Sequence, residues 1–243
     1  MHIEPGLVDS AKIGLSYATA AGAGATGVYH AGAALRERGV ASLALRSIIA
    51  AIGAFVFFEV MPTFAVGVSE VHFILGSTLF LLLGAGPAAI GLALGLLIQG
   101  MFFSPFDLPQ YGMNLTTLLV PLFALHEVAR RVIGPQTAYV DLTYAQVLKL
   151  SLVYQGGVVA WVAFWAVYGA GFGAANMVAI GTFGAAYMAV VIIEPVADLA
   201  VLAAAKALRG GKLAALLSPR LYSAAKAGLN LLWARGQPPR PFS

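Results

Sequence analysis

The sequence predicts an all-α polytopic membrane protein with about seven transmembrane helices. Of its 243 residues, 60% are hydrophobic and only 10% are charged, whereas about 25% of the residues in a soluble domain carry charge. The mean hydropathy is +0.87. Apolar runs of about 20 residues recur along the chain, and such runs cross a bilayer as helices that close their own backbone hydrogen bonds. These observations exclude an ordinary soluble domain and a single membrane anchor.

Polar, Gly or Pro residues divide the apolar sequence into the individual helices. The second helix stops at Pro62, and the third is short for a span because Gly84-Ala85-Gly86-Pro87 breaks it. Polar loops over Thr63–Val71 and Ser104–Gly112 precede the third and fifth helices. The predicted helices are Ile13–Leu35, Leu43–Met61, His72–Gly84, Ala88–Phe103, Asn114–Ile133, Ala145–Tyr168 and Met177–Leu208.

The first helix and the C-terminal tail have unusual compositions. Alanine and glycine recur in the first helix at a spacing that lets another helix approach closely. That face either packs inside the bundle or docks a partner subunit. Residues 1–208 are predicted to form a membrane domain and residues 209–243 a basic cytoplasmic tail. Its amphipathic stretch, Leu213–Trp233, is expected to lie along the membrane surface.

The distribution of positive charge predicts an outer N-terminus and a cytoplasmic C-terminus, because cytoplasmic loops are enriched in Lys and Arg. With seven spans in this orientation, only Lys12 falls outside, and Met1, His2 and the two polar loops share the outer face. Met1–Ser10 carries two acidic residues and lacks the basic start of a signal peptide, so the mature chain is expected to start at Met1. The residues predicted to be cytoplasmic are Arg36, Arg38, Arg46, Arg130, Arg131, Lys149, Lys206, Arg209, Lys212, Arg220, Lys226, Arg235 and Arg240.

Met1 and His2 could chelate a divalent metal ion at that outer face. The α-amine, the His2 amide nitrogen and the His2 Nδ1 close two adjacent rings around one ion and leave one in-plane position for another nitrogen. Nitrogen donors in a square suit Ni(II) or Cu(II), and Co(II) can be accommodated. The chain has no cysteine, so nitrogen or oxygen atoms must hold any metal. The turn-forming sequence Glu4-Pro5-Gly6 could fold the first residues back into the protein.

His72 is the best additional ligand, because the predicted topology places it on the same face as His2. Ser69 and Glu70 lie just before it in the outer loop, where an acidic side chain could attract cations. Asn114 follows the other outer loop and could hydrogen-bond an imidazole, as groups next to metal-bound histidines usually do.

Glu194 and Asp198 are carboxylates inside a predicted span. They lie on one face of the helix, and a charge at that depth costs about 2.5 to 3.5 kcal/mol on insertion scales, so each is expected to face a partner or a cavity. One interpretation is a packing network with Lys206 and Arg131. The other is a docking surface for a motor subunit.

Sequence motifs for enzyme chemistry are missing. His126-Glu127 lacks the second histidine of HExxH, and the chain has neither Gly-x-Ser-x-Gly nor a Gly-rich phosphate loop ending in Lys-Ser/Thr. We therefore expect the chain to have no ATPase of its own. His30 and His126 lie near the inner ends of their helices and are interpreted as packing residues.

Several short motifs occur in the order and spacing of a known family, and the likeness covers most of positions 1–208. They are Met1-His2-Ile3 with Gly6, Ser69 to His72, Gly76, Leu82-Leu83-Gly84, Gln99, Gly112-Met113-Asn114 and Ile193-Glu194. On these residues the chain resembles the membrane substrate-binding (S) components of energy-coupling factor (ECF) transporters for cobalt and nickel, the CbiM/NikM type.

The resemblance implies capture of Co(II) or Ni(II) by Met1, His2 and His72, with Asn114 in a supporting role. It also implies a bacterial inner-membrane location and a transporter completed by a T component and two ATPase subunits. Two other classes stay open: a metal-binding or structural subunit of another membrane complex, and an intramembrane enzyme that uses Glu194 and Asp198.

Overall fold

The computed structural model describes residue 3 and residues 6–9, 11–134 and 137–207. Met1, His2 and the tail from residue 208 lie outside the described residues. The described chain forms six α-helices and one β-hairpin: α1 Gly14–Phe55, β1 Phe64–Val66, β2 Ser69–Val71, α2 Gly76–Leu83, α3 Ala85–Phe102, α4 Tyr111–Val132, α5 Tyr144–Ala170 and α6 Ala174–Ala207. A π-helical turn, Val56–Val60, extends α1, and 3₁₀ turns occur at Pro105–Gln110 and Tyr139–Asp141.

The architecture is that of a helical membrane protein. Five helical stretches of the described chain are long and apolar enough to cross a bilayer. Many large apolar side chains on α1 and α6 point outward, among them Val28, Ile52, Val178 and Ile192. Outward apolar side chains on long helices suit contact with lipid rather than with water. The five stretches are Gly14–Val60, Ala85–Phe102, Pro105–Val132, Tyr144–Ala170 and Ala174–Ala207.

Helix α1 contains a reversal at Gly39, whose φ of 76° and ψ of 174° are not helical. A Cβ at Gly86, early in α3, would lie 2.7 Å from the His30 carbonyl oxygen, and one at Gly95 would lie 2.7 Å from the Ala54 Cβ. A straight helix would separate residues 30 and 54 by about 36 Å, whereas residues 86 and 95 lie about 14 Å apart. The two halves of α1 therefore run antiparallel along α3.

The close contact between α3 and the second half of α1 depends on glycine. A Cβ at Gly91 would lie 2.2 Å from the Ala50 Cβ and 2.6 Å from its backbone carbonyl carbon. We expect Gly91→Ala to destabilise the protein by about 1–3 kcal/mol, since two backbones must move apart. Gly32→Ala is the control, because nothing lies within 4 Å of a Cβ at Gly32. Thermal melts in detergent measure the difference, and equal melting temperatures would contradict this packing.

The third helix begins later than the sequence pattern predicts. The pattern starts that helix at His72, but α2 begins at Gly76 and His72–Leu75 are not helical. Leu75 adopts a left-handed φ of 49°, which breaks the helical path before α2. The predicted loop Thr63–Val71 also differs, since it contains β1 and β2. From α3 onward, the predicted helix ends agree with the described ones to within three residues.

The β-hairpin marks one end of the bundle, which we call the hairpin end. The start of α4 packs there against α1, since a Cβ at Gly112 would lie 2.9 Å from the Ser16 carbonyl oxygen. The Lys12 ammonium donates a hydrogen bond of 2.9 Å to the Gly169 carbonyl at the end of α5. The residues before α1, the starts of α1 and α4 and the end of α5 therefore lie close together at this end.

The opposite end, which we call the basic end, gathers the arginines that follow the apolar segments. Arg46 donates a hydrogen bond of 2.8 Å from Nη1 to the Leu83 carbonyl. Gln146 donates one of 2.9 Å from Nε2 to the Val132 carbonyl, next to Arg130 and Arg131. Helix α6 reaches this end, where Lys206 donates a hydrogen bond of 2.8 Å to the Leu142 carbonyl.

Candidate metal-binding site

The hairpin is seated against the bundle by its turn. β1 and β2 pair antiparallel with Val66 opposite Ser69, so Gly67 and Val68 form the connection. Gly67 has a φ of +66°, and a Cβ there would lie 2.2 Å from the Ala179 carbonyl oxygen of α6. A side chain at this position would be strained and would collide with α6. Glycine therefore lets the hairpin, and with it Ser69, lie directly on α6.

Ile3 connects the N-terminal segment to this hairpin. It forms an antiparallel bridge with Ser69, and its backbone N–H donates a hydrogen bond of 2.8 Å to the Asn114 Oδ1 of α4. Ile3 and Ser69 are both 0% exposed, and Asn114 is 1% exposed. The residue that directly follows His2 is therefore held deep in the protein between β2 and α4.

Asn114 has hydrogen-bonding capacity left at this site. Its Oδ1 accepts from Ile3, while its buried Nδ2 has no hydrogen-bond partner among the residues that the structure describes. A buried amide nitrogen carries two donors that need acceptors. This side chain therefore fixes the N-terminal segment and presents a donor group beside it.

His72 follows β2 directly and is 2% exposed. Its Nδ1 lies 3.0 Å from the Phe73 carbonyl oxygen, and its ring contacts the Phe58 ring edge-on with centroids 5.4 Å apart. A carbonyl oxygen only accepts, so Nδ1 is the donor in this contact, and in a neutral imidazole the lone pair is then on Nε2. Metal-binding histidines use this arrangement, in which one ring nitrogen is oriented by a hydrogen bond and the other is a ligand.

The segment between His72 and α2 is held by two carboxylates of α6. Glu194 accepts hydrogen bonds from the Ile74 amide and from the Gln155 Nε2. Asp198 accepts one of 2.6 Å from the Ser77 hydroxyl and another from the Thr78 hydroxyl. Both carboxylates are buried, and their position at the start of α2 also suits the positive end of the helix dipole.

This arrangement confirms that the two carboxylates belong to a packing network, but with partners other than the predicted ones, and it corrects the interpretation as a docking surface. The described contacts of Lys206 and Arg131 are with Leu142 and Glu127 rather than with Glu194 and Asp198. The carboxylates are also too deeply buried to form a docking surface.

The structure brings some of the predicted site residues together and separates others. Ser69 and Asn114 both contact Ile3, and His72 follows β2 directly. Glu70 is half-buried on β2, opposite Ala65. Within the described residues, no three His, Asp or Glu side chains cluster as a metal site by themselves.

The other two histidines lie away from the hairpin end. His30 and His126 contact each other across α1 and α4 with ring centroids 4.6 Å apart. His30 also stacks on Phe123, with centroids 5.3 Å apart. Both therefore take part in ring packing between helices.

Sequence reasoning missed the residues that hold the backbone around His72. Gln155, Ser77 and Thr78 bind the two carboxylates, and Tyr187 donates a hydrogen bond of 2.7 Å to the Gln155 Oε1. A signal was present, since a glutamine in the middle of an apolar helix needs a polar partner. Its partner could not be identified, because α5 and α6 meet only in the folded bundle.

The long apolar helices and the buried polar residues at the hairpin end define a multi-pass membrane protein with a polar site at one end of its bundle. The chain belongs to the family described as the cobalt uptake substrate-specific transmembrane region (CbiM), whose model matches residues 2–210. It is therefore a membrane component of metal uptake.

A solved structure, "Crystal Structure of an Truncated Transition metal Transporter", supports the fold. It aligns with a TM-score of 0.61 at 17% identity, covering 86% of this chain and 97% of that one. At this identity the similarity speaks for the fold alone. No curated protein matches the sequence.

Proposed function

We propose that this protein captures Co(II) or Ni(II) at the hairpin end as the substrate-binding component of an ECF-type transporter. Four nitrogens would hold the ion: the Met1 amine, the His2 amide nitrogen, the His2 Nδ1 and the His72 Nε2. The observation that carries the proposal is the position of Ile3, buried and bonded to Asn114 and Ser69. An anchor at Ile3 supports a metal site that uses the two residues before it.

The direction of the Ile3 bridge supports a contact with His72. Ile3 pairs antiparallel with Ser69, and in an antiparallel pair one strand ascends in number as the other descends. If the pairing continued beyond this bridge, the residues before Ile3 would lie beside the residues after Ser69, which lead to His72. The lone pair on the His72 Nε2 would complete a square of nitrogens.

The surrounding residues suit such an ion. Nitrogen ligands in a plane favour late first-row divalent metals. Asn114 and Ser69 would hold the chelating segment in place, and Glu70 would contribute negative charge near the entrance. Asn114 would act through its side-chain amide, whose oxygen already accepts a hydrogen bond from Ile3, the residue after His2.

The membrane topology that we propose has seven spans, an outer N-terminus and a cytoplasmic C-terminus. The reversal at Gly39 would make two spans of α1, and α2 would be a short helix broken from its neighbour at Gly84. The basic end would then face the cytoplasm, as expected because cytoplasmic loops are enriched in Lys and Arg. The setting would be a bacterial inner membrane, with residues 1–208 as the membrane domain and 209–243 as a cytoplasmic tail.

Transport would need separate subunits, a T component and two ATPases, since the sequence has no nucleotide-binding loop. The exposed small residues of α1 are a surface that the T component could approach. Nothing within 4 Å would obstruct a Cβ at Gly22, Gly24 or Gly32. The metal would enter at the hairpin end and leave at the basic end.

Metal binding by the purified, full-length protein in detergent tests the function. We expect one Co(II) or Ni(II) per chain and a loss of about 100-fold in affinity for His72→Gln, because removing one of four ligands removes roughly a quarter of the binding free energy, about 3 kcal/mol. Competition between Co(II) and Ni(II) then identifies the preferred ion.

His126→Gln is the matched control, because it removes an imidazole from the other end of the bundle. It is expected to keep the affinity of the unmodified protein. A protein that binds neither ion, or one in which both substitutions have the same effect, would refute the proposed site.

A further inference from the structure

The segment that carries His72 is unwound in the interior of the bundle and needs partners for its amides. Glu194 supplies one of them, because its carboxylate accepts a hydrogen bond from the Ile74 amide. Unpaired amides are costly in an apolar environment, so a non-helical segment persists there only when side chains satisfy its backbone. The conformation of residues 72 to 75 therefore depends on this one side chain of α6.

Glu194 is itself held by a chain of hydrogen bonds. Gln155 donates from Nε2 to the Glu194 Oε2, and Tyr187 donates to the Gln155 Oε1 over 2.7 Å. All three side chains are 0% exposed. Each donor meets an acceptor, and this matching fixes the orientation of the carboxylate.

We propose that Glu194 is a positioning residue for metal capture, which sets the place of the His72 imidazole by holding the amide of Ile74. This inference rests on the proposed function, because it takes His72 to be a metal ligand. Among the described residues, Glu194 hydrogen-bonds to Ile74 and Gln155, so its proposed role is exerted through the backbone. A metal site needs its ligands within about 0.5 Å of the productive geometry, so a released backbone lowers affinity even when every ligand is present.

The hydrogen-bond pattern requires an acceptor at position 194. In Glu194→Gln, either two amide N–H groups face each other or Gln155 turns over and leaves the Tyr187 hydroxyl without an acceptor. Both outcomes strand a buried donor among the described groups, which is destabilising. Exchanging the two residues, Glu194→Gln with Gln155→Glu, restores the match: the amide oxygen at 194 accepts from Ile74, and the carboxylate at 155 accepts from the new amide and from Tyr187.

Asp198 offers a matched comparison on the same face of α6. Its partners are the hydroxyls of Ser77 and Thr78, which can both donate and accept. Asp198→Asn therefore removes a buried charge while leaving each hydrogen bond possible. It is expected to reduce metal affinity less than Glu194→Gln does.

Titration of the full-length protein with Ni(II) and Co(II) tests this inference, with the visible spectrum of the Ni(II)-loaded protein and the helical circular dichroism recorded alongside. We expect Glu194→Gln to weaken binding by about 10- to 100-fold, as changes to groups that orient metal ligands do. The helix content should stay unchanged, and the exchanged double variant should regain most of the affinity. A purely structural role would lower the melting temperature without altering the affinity or spectrum of the folded protein.

An unchanged affinity in Glu194→Gln would overturn the inference, and so would a folded double variant that fails to recover. If Glu194→Gln does not fold, Gln155→Ala replaces it, since this change removes one support of Glu194. A loss of affinity is then expected, and none would contradict the role. Unmodified protein that binds no metal would instead refute the proposed function, so the two failures are distinguishable.

Discussion

Protein carrying a Gly-Ser extension before Met1 is expected to lose about 100-fold or more in affinity for Ni(II) and Co(II). The extension turns the Met1 amine into an amide, which removes one of the four proposed ligands and about 3 kcal/mol of binding free energy. It also lengthens the segment that must fit before Ile3. Ile3 is fixed by its hydrogen bond to Asn114, with 2.8 Å between the Ile3 nitrogen and the Asn114 Oδ1. Isothermal titration of purified protein measures the loss.

Two variants separate the chelate from a general effect of the extra residues. The same dipeptide added after Ser243 is the control and should leave the affinity unchanged. His2→Ala removes the imidazole and keeps the chain length, and it should be at least as damaging as the extension. Normal binding by both altered N-termini would show that the ion is held elsewhere.

The second large effect is expected for Gly67→Ala, at the turn that seats the hairpin. The new methyl group would lie 2.2 Å from the Ala179 carbonyl oxygen on a backbone with a φ of +66°. Left-handed backbone costs a non-glycine residue about 1–2 kcal/mol, and the collision adds about 1–3 kcal/mol. The hairpin should lift from α6 and carry Ser69 and His72 with it, so that metal affinity falls more than tenfold.

Gly171→Ala separates strain from collision. Gly171 has a φ of +72°, but nothing lies within 4 Å of a Cβ there. This control should lower the melting temperature slightly and keep metal binding. Gly67→Ala should lower both, as measured by thermal melts and Ni(II) titration. If the two variants bind metal equally well, the seat of the hairpin does not position the site.

Several features of the fold could be predicted from residue patterns alone. The ends of α3 to α6 follow from apolar runs bounded by Gly, Pro and polar residues, because the bilayer requires continuous apolar helices. Family membership was predicted from short motifs and is confirmed by the match over residues 2–210. The division of the first apolar region near Arg36 was also predicted, and Gly39 is where the helical path breaks.

The region around His72 could not be predicted correctly, for a physical reason. Residues 72–75 are apolar apart from His72 and have no proline, so local preference favours helix. Glu194, more than 100 residues later, overrides that preference by accepting a hydrogen bond from the Ile74 amide. A competition between local helix formation and a distant acceptor has no signature in the segment itself.

By itself, the sequence determined that this chain is a helical membrane protein of the cobalt-uptake family. Apolar runs, charge distribution and short motifs can all be read from the order of residues along the chain. Only the tertiary structure decided that Ile3 lies buried between Ser69 and Asn114, and that α6 holds the backbone beside His72 through Glu194. Those contacts join residues that are far apart in the chain, and buried polar groups select their partners only when packed helices bring donors and acceptors within reach.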